Sequence, residues 1–129
     1  MKILVLETNE KGKKVTERLL KEKYYNLAIM FHPDHIFTAL KNEVFHVIFI
    51  PLEMKGLDSL ELCRKIKILY PKVILHAYSD QCEFFNPETM ERIGFDGLMN
   101  RPLRKKTSFN SVEKAFGDWL GAGVRTSTS

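Results

Sequence analysis

The side chains able to do chemistry in this chain are few and scattered. Glu7 and Thr8 set a carboxyl beside a hydroxyl, oxygen donors of the kind a hard cation takes. Arg101 carries a planar guanidinium suited to a carboxylate or a phosphate. His76, followed by Ala77, is a group whose charge can change near neutral pH, and it is expected as a partly buried, hydrogen-bonded histidine near the mouth of any site. His32 and His35 flank a Pro-Asp dipeptide, but no third and fourth ligand is spaced to finish a metal set, so loop and cap polarity accounts for them. Cys63 falls on the apolar side of a helical stretch and packs as a small hydrophobe. Cys82, beside Glu83, lacks the cationic neighbours that activate a thiolate. The stretch Glu7-Thr-Asn-Glu-Lys-Gly12 has one glycine and is too polar for a phosphate-cradling loop, and no nucleophile–base pair is evident. The expectation is a protein that is not an enzyme and needs neither cofactor nor metal.

The elements that position these groups follow from apolar runs alternating with amphipathic stretches. Residues 3–6, 27–31, 44–50, 73–77 and 96–99 read as strands. The run at 44–50 is the strongest and ends at Pro51, which cannot donate to a ladder. Between them lie helical stretches: one from about Glu10 after Thr8-Asn9, one opened by Pro33-Asp34, and one from Leu57-Asp58-Ser59 with Leu60, Cys63, Ile66, Ile68 and Leu69 apolar. A short helix opens at Asn86-Pro87-Glu88 and stops at Gly94, and a last one spans 109–120. Strand and helix in alternation predict a five-stranded, doubly wound parallel sheet of flavodoxin-like type in a single domain, 1–120, with a flexible polar tail at 121–129. In such sheets ligands gather at the carboxyl ends of the strands, which directs attention to Glu7-Thr8, Phe31-His32, Pro51-Leu52-Glu53, Ala77-Tyr78-Ser79 and Asn100-Arg101.

Composition agrees. With 129 residues, 44% hydrophobic and 28% charged, and nine Phe available to pack, the chain can bury one core without staples. No apolar stretch approaches the length of a membrane span, Met1-Lys2 leads into only four apolar residues before Glu7, and two cysteines make no disulfide framework, so a cytoplasmic protein is expected. Twenty Lys and Arg against sixteen Asp and Glu give a net charge of +4, which permits an acidic partner without demanding one.

The order of motifs resembles the receiver domain of bacterial two-component response regulators, from about residue 2 to residue 120. The segment His46-Val-Ile-Phe-Ile-Pro51-Leu-Glu-Met-Lys-Gly-Leu-Asp58-Ser-Leu-Glu-Leu-Cys-Arg is similar to that family's third strand, loop and third helix. Pro71-Lys-Val-Ile-Leu-His-Ala-Tyr-Ser-Asp80 is similar to its fourth strand, and Ile93-Gly-Phe-Asp-Gly-Leu-Met-Asn-Arg-Pro102-Leu to its fifth strand and cis-proline turn. The family passes a phosphoryl group from a phosphohistidine to an aspartate with the help of Mg²⁺, the step that drives a phosphorelay. The resemblance implies that the metal-binding acidic pair falls on Glu7 and Thr8, and the acceptor on Pro51. It implies further that the fourth-strand Thr falls on His76 or Ala77, the fifth-strand Lys on Arg101, and the aromatic switch residue on Leu98. Proline has no oxygen to take a phosphoryl group, and Glu7 with Thr8 and a proline is a poor Mg²⁺ set. The implied protein is a pseudo-receiver that cannot be phosphorylated and acts by protein–protein contact with a signalling partner or a second copy.

Two surfaces remain to be placed. Glu7 and Arg101 are expected as an ion pair across the strand ends, with a small-anion site around Arg101 as the alternative. The basic run Arg101, Arg104, Lys105 and Lys106, with Phe84-Phe85 and Leu98, is the candidate partner-binding region, because the family docks partners on its fourth helix, fifth strand and fifth helix. A second class of function, a nucleic-acid-binding module using Lys11, Lys13, Lys14 and the same basic run, is disfavoured. Its charges are spread over separate elements, and no helix-turn-helix is readable.

Overall fold

The computed structural model describes residues 2–20, 26–79 and 85–100. Nine elements alternate along them: β1 (Lys2–Leu6), α1 (Glu10–Leu20), β2 (Asn26–Met30), α2 (Asp34–Asn42), β3 (Val47–Pro51), α3 (Ser59–Leu69), β4 (Ile74–Ser79), α4 (Pro87–Ile93) and β5 (Gly97–Asn100). The strands form one sheet in the order β2-β1-β3-β4-β5, each pair parallel. This is the flavodoxin-like arrangement expected from the alternation. The direction of strand addition reverses between β1 and β3, which makes their carboxyl ends the crevice of the fold.

Continuous apolar runs become these strands because a parallel sheet is covered on both faces and neither alternate position can be polar. One face carries Leu4, Leu6, Ile48, Ile50, Leu75 and Ala77, packed against Ile36 and Leu40 of α2, Leu62, Cys63 and Ile66 of α3, and Met90 of α4. The other carries Ile3, Val5, Val47, Phe49, Ile74, Tyr78 and Met99. Glu7, Pro51 and His76 continue the alternation of this second face, which puts them on the α1 side of the sheet or at its upper edge.

Capping fixes where the helices begin. The Asn9 side chain accepts the Gly12 N–H at 2.8 Å, Asp58 accepts the Glu61 N–H at 3.1 Å, and Asn86 accepts the Glu88 N–H at 2.8 Å. Helix α4 stops at Gly94, whose φ of 129° lies where side chains are strained and whose Cα faces Lys67 and Cys63.

Two strand limits and one buried face depart from the sequence expectation in ways that matter for the site. Val44 is 71% exposed and β3 begins only at Val47, because the chain first turns Phe45 into the core and bonds the His46 N–H to the Lys2 carbonyl. Strand β4 runs on through Tyr78 and Ser79, both buried. Ile68 and Leu69 are 72% and 62% exposed, since the inward stripe of α3 is Ser59, Leu62, Cys63 and Ile66.

Candidate functional site

At the end of β1 the chain places Glu7, whose N–H donates to the Met30 carbonyl at 2.7 Å, extending the β1–β2 ladder by one residue. Its side chain turns inward and is only 2% exposed. The Thr16 hydroxyl, buried on the sheet side of α1, donates to Glu7 Oε1 at 2.6 Å. A carboxyl group taken so far from water needs such donors, because leaving it without them costs several kcal/mol. Thr8, the next residue, is half-buried and accepts from the Asn9 amide at 3.3 Å.

Across the crevice, Pro51 is the last residue of β3 and is buried. Lacking an N–H, it closes the strand, and the ladder resumes through the Leu52 N–H, which donates to the Tyr78 carbonyl at 3.0 Å. The Ser59 hydroxyl, at the start of α3, donates to the Pro51 carbonyl at 3.0 Å. The Tyr78 hydroxyl donates to the Leu6 carbonyl, so the ring spans from β4 across β3 to β1. Beyond it, the Ser79 hydroxyl donates to the Glu53 carboxyl, tying the β3–α3 loop to the end of β4.

The structure brings Glu7, Thr8 and Pro51 to one crevice, but not His76 or Ala77. The register pairs Pro51 with Tyr78, whereas His76 pairs with Phe49, one pleat deeper, and Ala77 with Ile50 on the opposite face. His76 is 5% exposed, its ring edge-on to Phe49 at 5.6 Å between centroids and lying over Gly97. A Cβ at position 97 would meet the His76 ring at 2.6 Å, so this close approach requires glycine. The expectation of His76 near the mouth is corrected: β4 ends two residues later than read from sequence, which moves the mouth to Tyr78 and Ser79.

Of the expected docking residues, Phe85 and Leu98 are half-buried and pack against the α2–α4 core cluster. Arg101, Phe84, Arg104 and Lys105 lie outside the described residues, as do Lys106, Cys82, the 109–120 helix and the 121–129 tail. His32 and His35 are exposed, their rings edge-on at 5.4 Å. Lys13, one of the basic residues of α1, sits 3.8 Å from Glu17 and over the Phe31 ring. Among the described residues no cluster of three metal-ligating side chains occurs, and no helix is long and apolar enough to cross a membrane.

Thr16 was not singled out by sequence reasoning, and Glu53, Tyr78 and Ser79 were named only as lying at strand ends, without these partners. Thr16 had one available signal: it is a hydroxyl between Val15 and the leucines of α1, on the side that must face the sheet.

Two titratable groups lie away from the crevice. Burial lowers the His46 pKa from its ordinary 6.5, with a nearby positive charge acting the same way, and His46 Nδ1 accepts the Lys2 N–H at 2.9 Å. Burial first, with Asp96 adding to it against Lys67 and Arg64, pushes the Cys63 thiol up to about 11.

No family model matches the chain, and no curated protein matches it. Solved structures do. NtrX from Brucella abortus superposes with a TM-score of 0.85 over 99% of this chain at 17% identity, and this chain spans 29% of NtrX. A CheY-like response regulator receiver domain protein from Methanospirillum hungatei JF-1 gives 0.81 at 14% identity, over 94% of this chain and 97% of that one. A response regulator from Thermotoga maritima gives 0.77 at 18% identity, over 90% and 97%. The fold is that of the response-regulator receiver domain.

Proposed function

We propose that this chain is a receiver-like signalling domain that does not accept a phosphoryl group and acts through protein contact in a two-component-type system. Pro51 carries the reading. It ends β3 at the position where the resemblance puts the acceptor carboxylate, and a pyrrolidine ring has no oxygen to form an acyl phosphate. The neighbouring carboxyls support it. Glu7 is buried and holds the Thr16 hydroxyl, and Glu53 is engaged by Ser79. Mg²⁺ takes oxygen ligands from one or two carboxylates together with substrate phosphate and water, and a buried Glu7 beside an exposed Glu53 already bonded to Ser79 is a poor set.

On this reading the domain is neither a phosphatase nor a phosphotransferase, and its output is set by which partner it meets. Incubation with acetyl phosphate and Mg²⁺ followed by intact-mass measurement tests it. The expected result is an unchanged mass, with a phosphorylatable receiver run alongside gaining one phosphoryl group. A phosphoryl adduct on this chain would sink the reading.

A further inference from the structure

Two apolar surfaces stand open on α3. One is a groove of about 570 Å³ between the β3–α3 loop, the first turn of α3 and α4, walled by Leu52, Leu57, Leu60, Phe85 and Met90. The other is a depression of about 280 Å³ between α2 and α3, formed by Phe37, Lys65, Ile68 and Leu69. The large hydrophobics most exposed among the described residues fall largely on these two surfaces: Leu60 at 40% in the first, Ile68 at 72% and Leu69 at 62% in the second. Exposed apolar side chains grouped in this way mark contact surfaces better than scattered ones do.

Their lining charges are opposite. Among the described residues, Asp58 is the one charged side chain lining the groove, with Glu88 in the first turn of α4 and Glu61, paired with Arg64 at 3.6 Å, in the first turn of α3. Lys65 is the one charged side chain lining the depression, with Lys41 in the last turn of α2. At 1.5 Å of rise per residue, Leu60 and Ile68 lie about 12 Å apart along α3. The two surfaces therefore do not overlap, and one molecule can use both at once.

We infer that a second copy of this chain occupies the groove. The Ile68–Leu69 ridge of one copy seats between α3 and α4 of the next, and Lys65 of the ridge meets Asp58 of the groove. The contact is head-to-tail, so it leaves a free ridge at one end and a free groove at the other and can extend or close into a ring. Two seated side chains and one ion pair make a small interface, so the association is weak and grows with concentration. The groove borders Pro51 through Leu52 and Ser59, but the contact uses no group of Pro51 and stands whether or not the crevice is silent. One reading is judged by phosphoryl transfer and the other by mass in solution.

Sedimentation velocity on the full chain, from micromolar to millimolar concentration, tests it with two surface variants. Ile68→Glu sets an acid against Asp58, and Thr89→Trp fills the groove from an exposed position on α4. The wild-type weight-average mass is expected to rise with concentration and to fall back in high salt. Each variant alone should associate about tenfold more weakly or worse, a change of about 1.4 kcal/mol. Mixed, the two should regain a one-to-one pair that cannot grow, because the first keeps an open groove and the second an intact ridge. A monomer at every concentration would overturn the inference, leaving the groove to a different partner. Variants that associate like the wild type, or a mixture that fails to pair, would overturn it equally.

Discussion

At the amino ends of the strands, the Asp96 carboxylate takes the Lys67 ammonium at 2.8 Å and the Leu75 N–H at 2.8 Å, while Lys67 also donates to the Val73 carbonyl at 2.7 Å. Nearby on the same end, Lys2 pairs with Glu43 at 3.0 Å and its N–H bonds His46. At the carboxyl ends the pattern is different. Glu7 holds a hydroxyl of α1, Tyr78 reaches over to the Leu6 carbonyl, and the ladder closes on a proline. The basal end is stitched by charges that remain partly in water, with Lys67 and Asp96 side chains 22% and 32% exposed. At the crevice end, where this class of sheet collects ligands, Glu7, Tyr78 and Ser79 bond to groups of the protein itself. Polar residues at a strand end are thus no sign of a working site until their partners are known.

Substitutions can break this contrast, beginning with the most damaging. Gly97→Ala, directly after the Asp96 clasp, drives a methyl into the buried His76 ring and is expected to cost about 1–3 kcal/mol in urea unfolding. In a His76→Ala background most of that additional cost should vanish, since the two positions are coupled by one contact. Thr16→Val removes a donor from the buried Glu7 carboxyl and should cost about 1–3 kcal/mol, with Thr16→Ser retaining most of the stability. If the crevice is closed inward, the Thr16→Val protein should lose stability without gaining a response to Mg²⁺. Asp96→Asn keeps an acceptor for the Leu75 N–H and gives up only a half-exposed ion pair, so about 0.5–1 kcal/mol is expected.

Smaller effects come from the titratable groups. The folded-state pKa of His46 lies below its ordinary 6.5, so its share of stability is complete above pH 6.5 and is lost as pH falls through the folded value. Melting temperature should therefore decline modestly below pH 6.5, and His46→Gln should flatten that decline. Cys63, with its thiol pushed up to about 11 and its side chain buried, should resist alkylation at pH 8 in the native protein and react once urea unfolds it. Peptide mapping by mass spectrometry reads this separately from Cys82.

Much of the fold was legible in the residues because the central strands β1, β3 and β4 are almost wholly buried and their runs are mostly apolar. The helix starts at Asn9, Asp58 and Asn86 were legible from capping chemistry. Position 51 was legible too, since a proline at the close of a β-branched run can only be an exit. The site was less so. Tyr78 and Ser79 read as loop because they are polar, yet the Tyr78 hydroxyl is satisfied by a carbonyl two strands away, which lets the strand continue. The inward turn of Glu7 depends on Thr16, nine residues on, a pairing set by how α1 lies on the sheet rather than by local sequence. Ile68 and Leu69 read as core because they are apolar, but the buried stripe of α3 is complete without them.

The proposed silence of the crevice is tested most directly by amide spectra of isotope-labelled protein titrated with beryllofluoride and Mg²⁺. Signals of Glu7, Leu52 and Tyr78 are predicted to stay where they are throughout the titration. Saturable, metal-dependent shifts centred on those three residues would contradict the account.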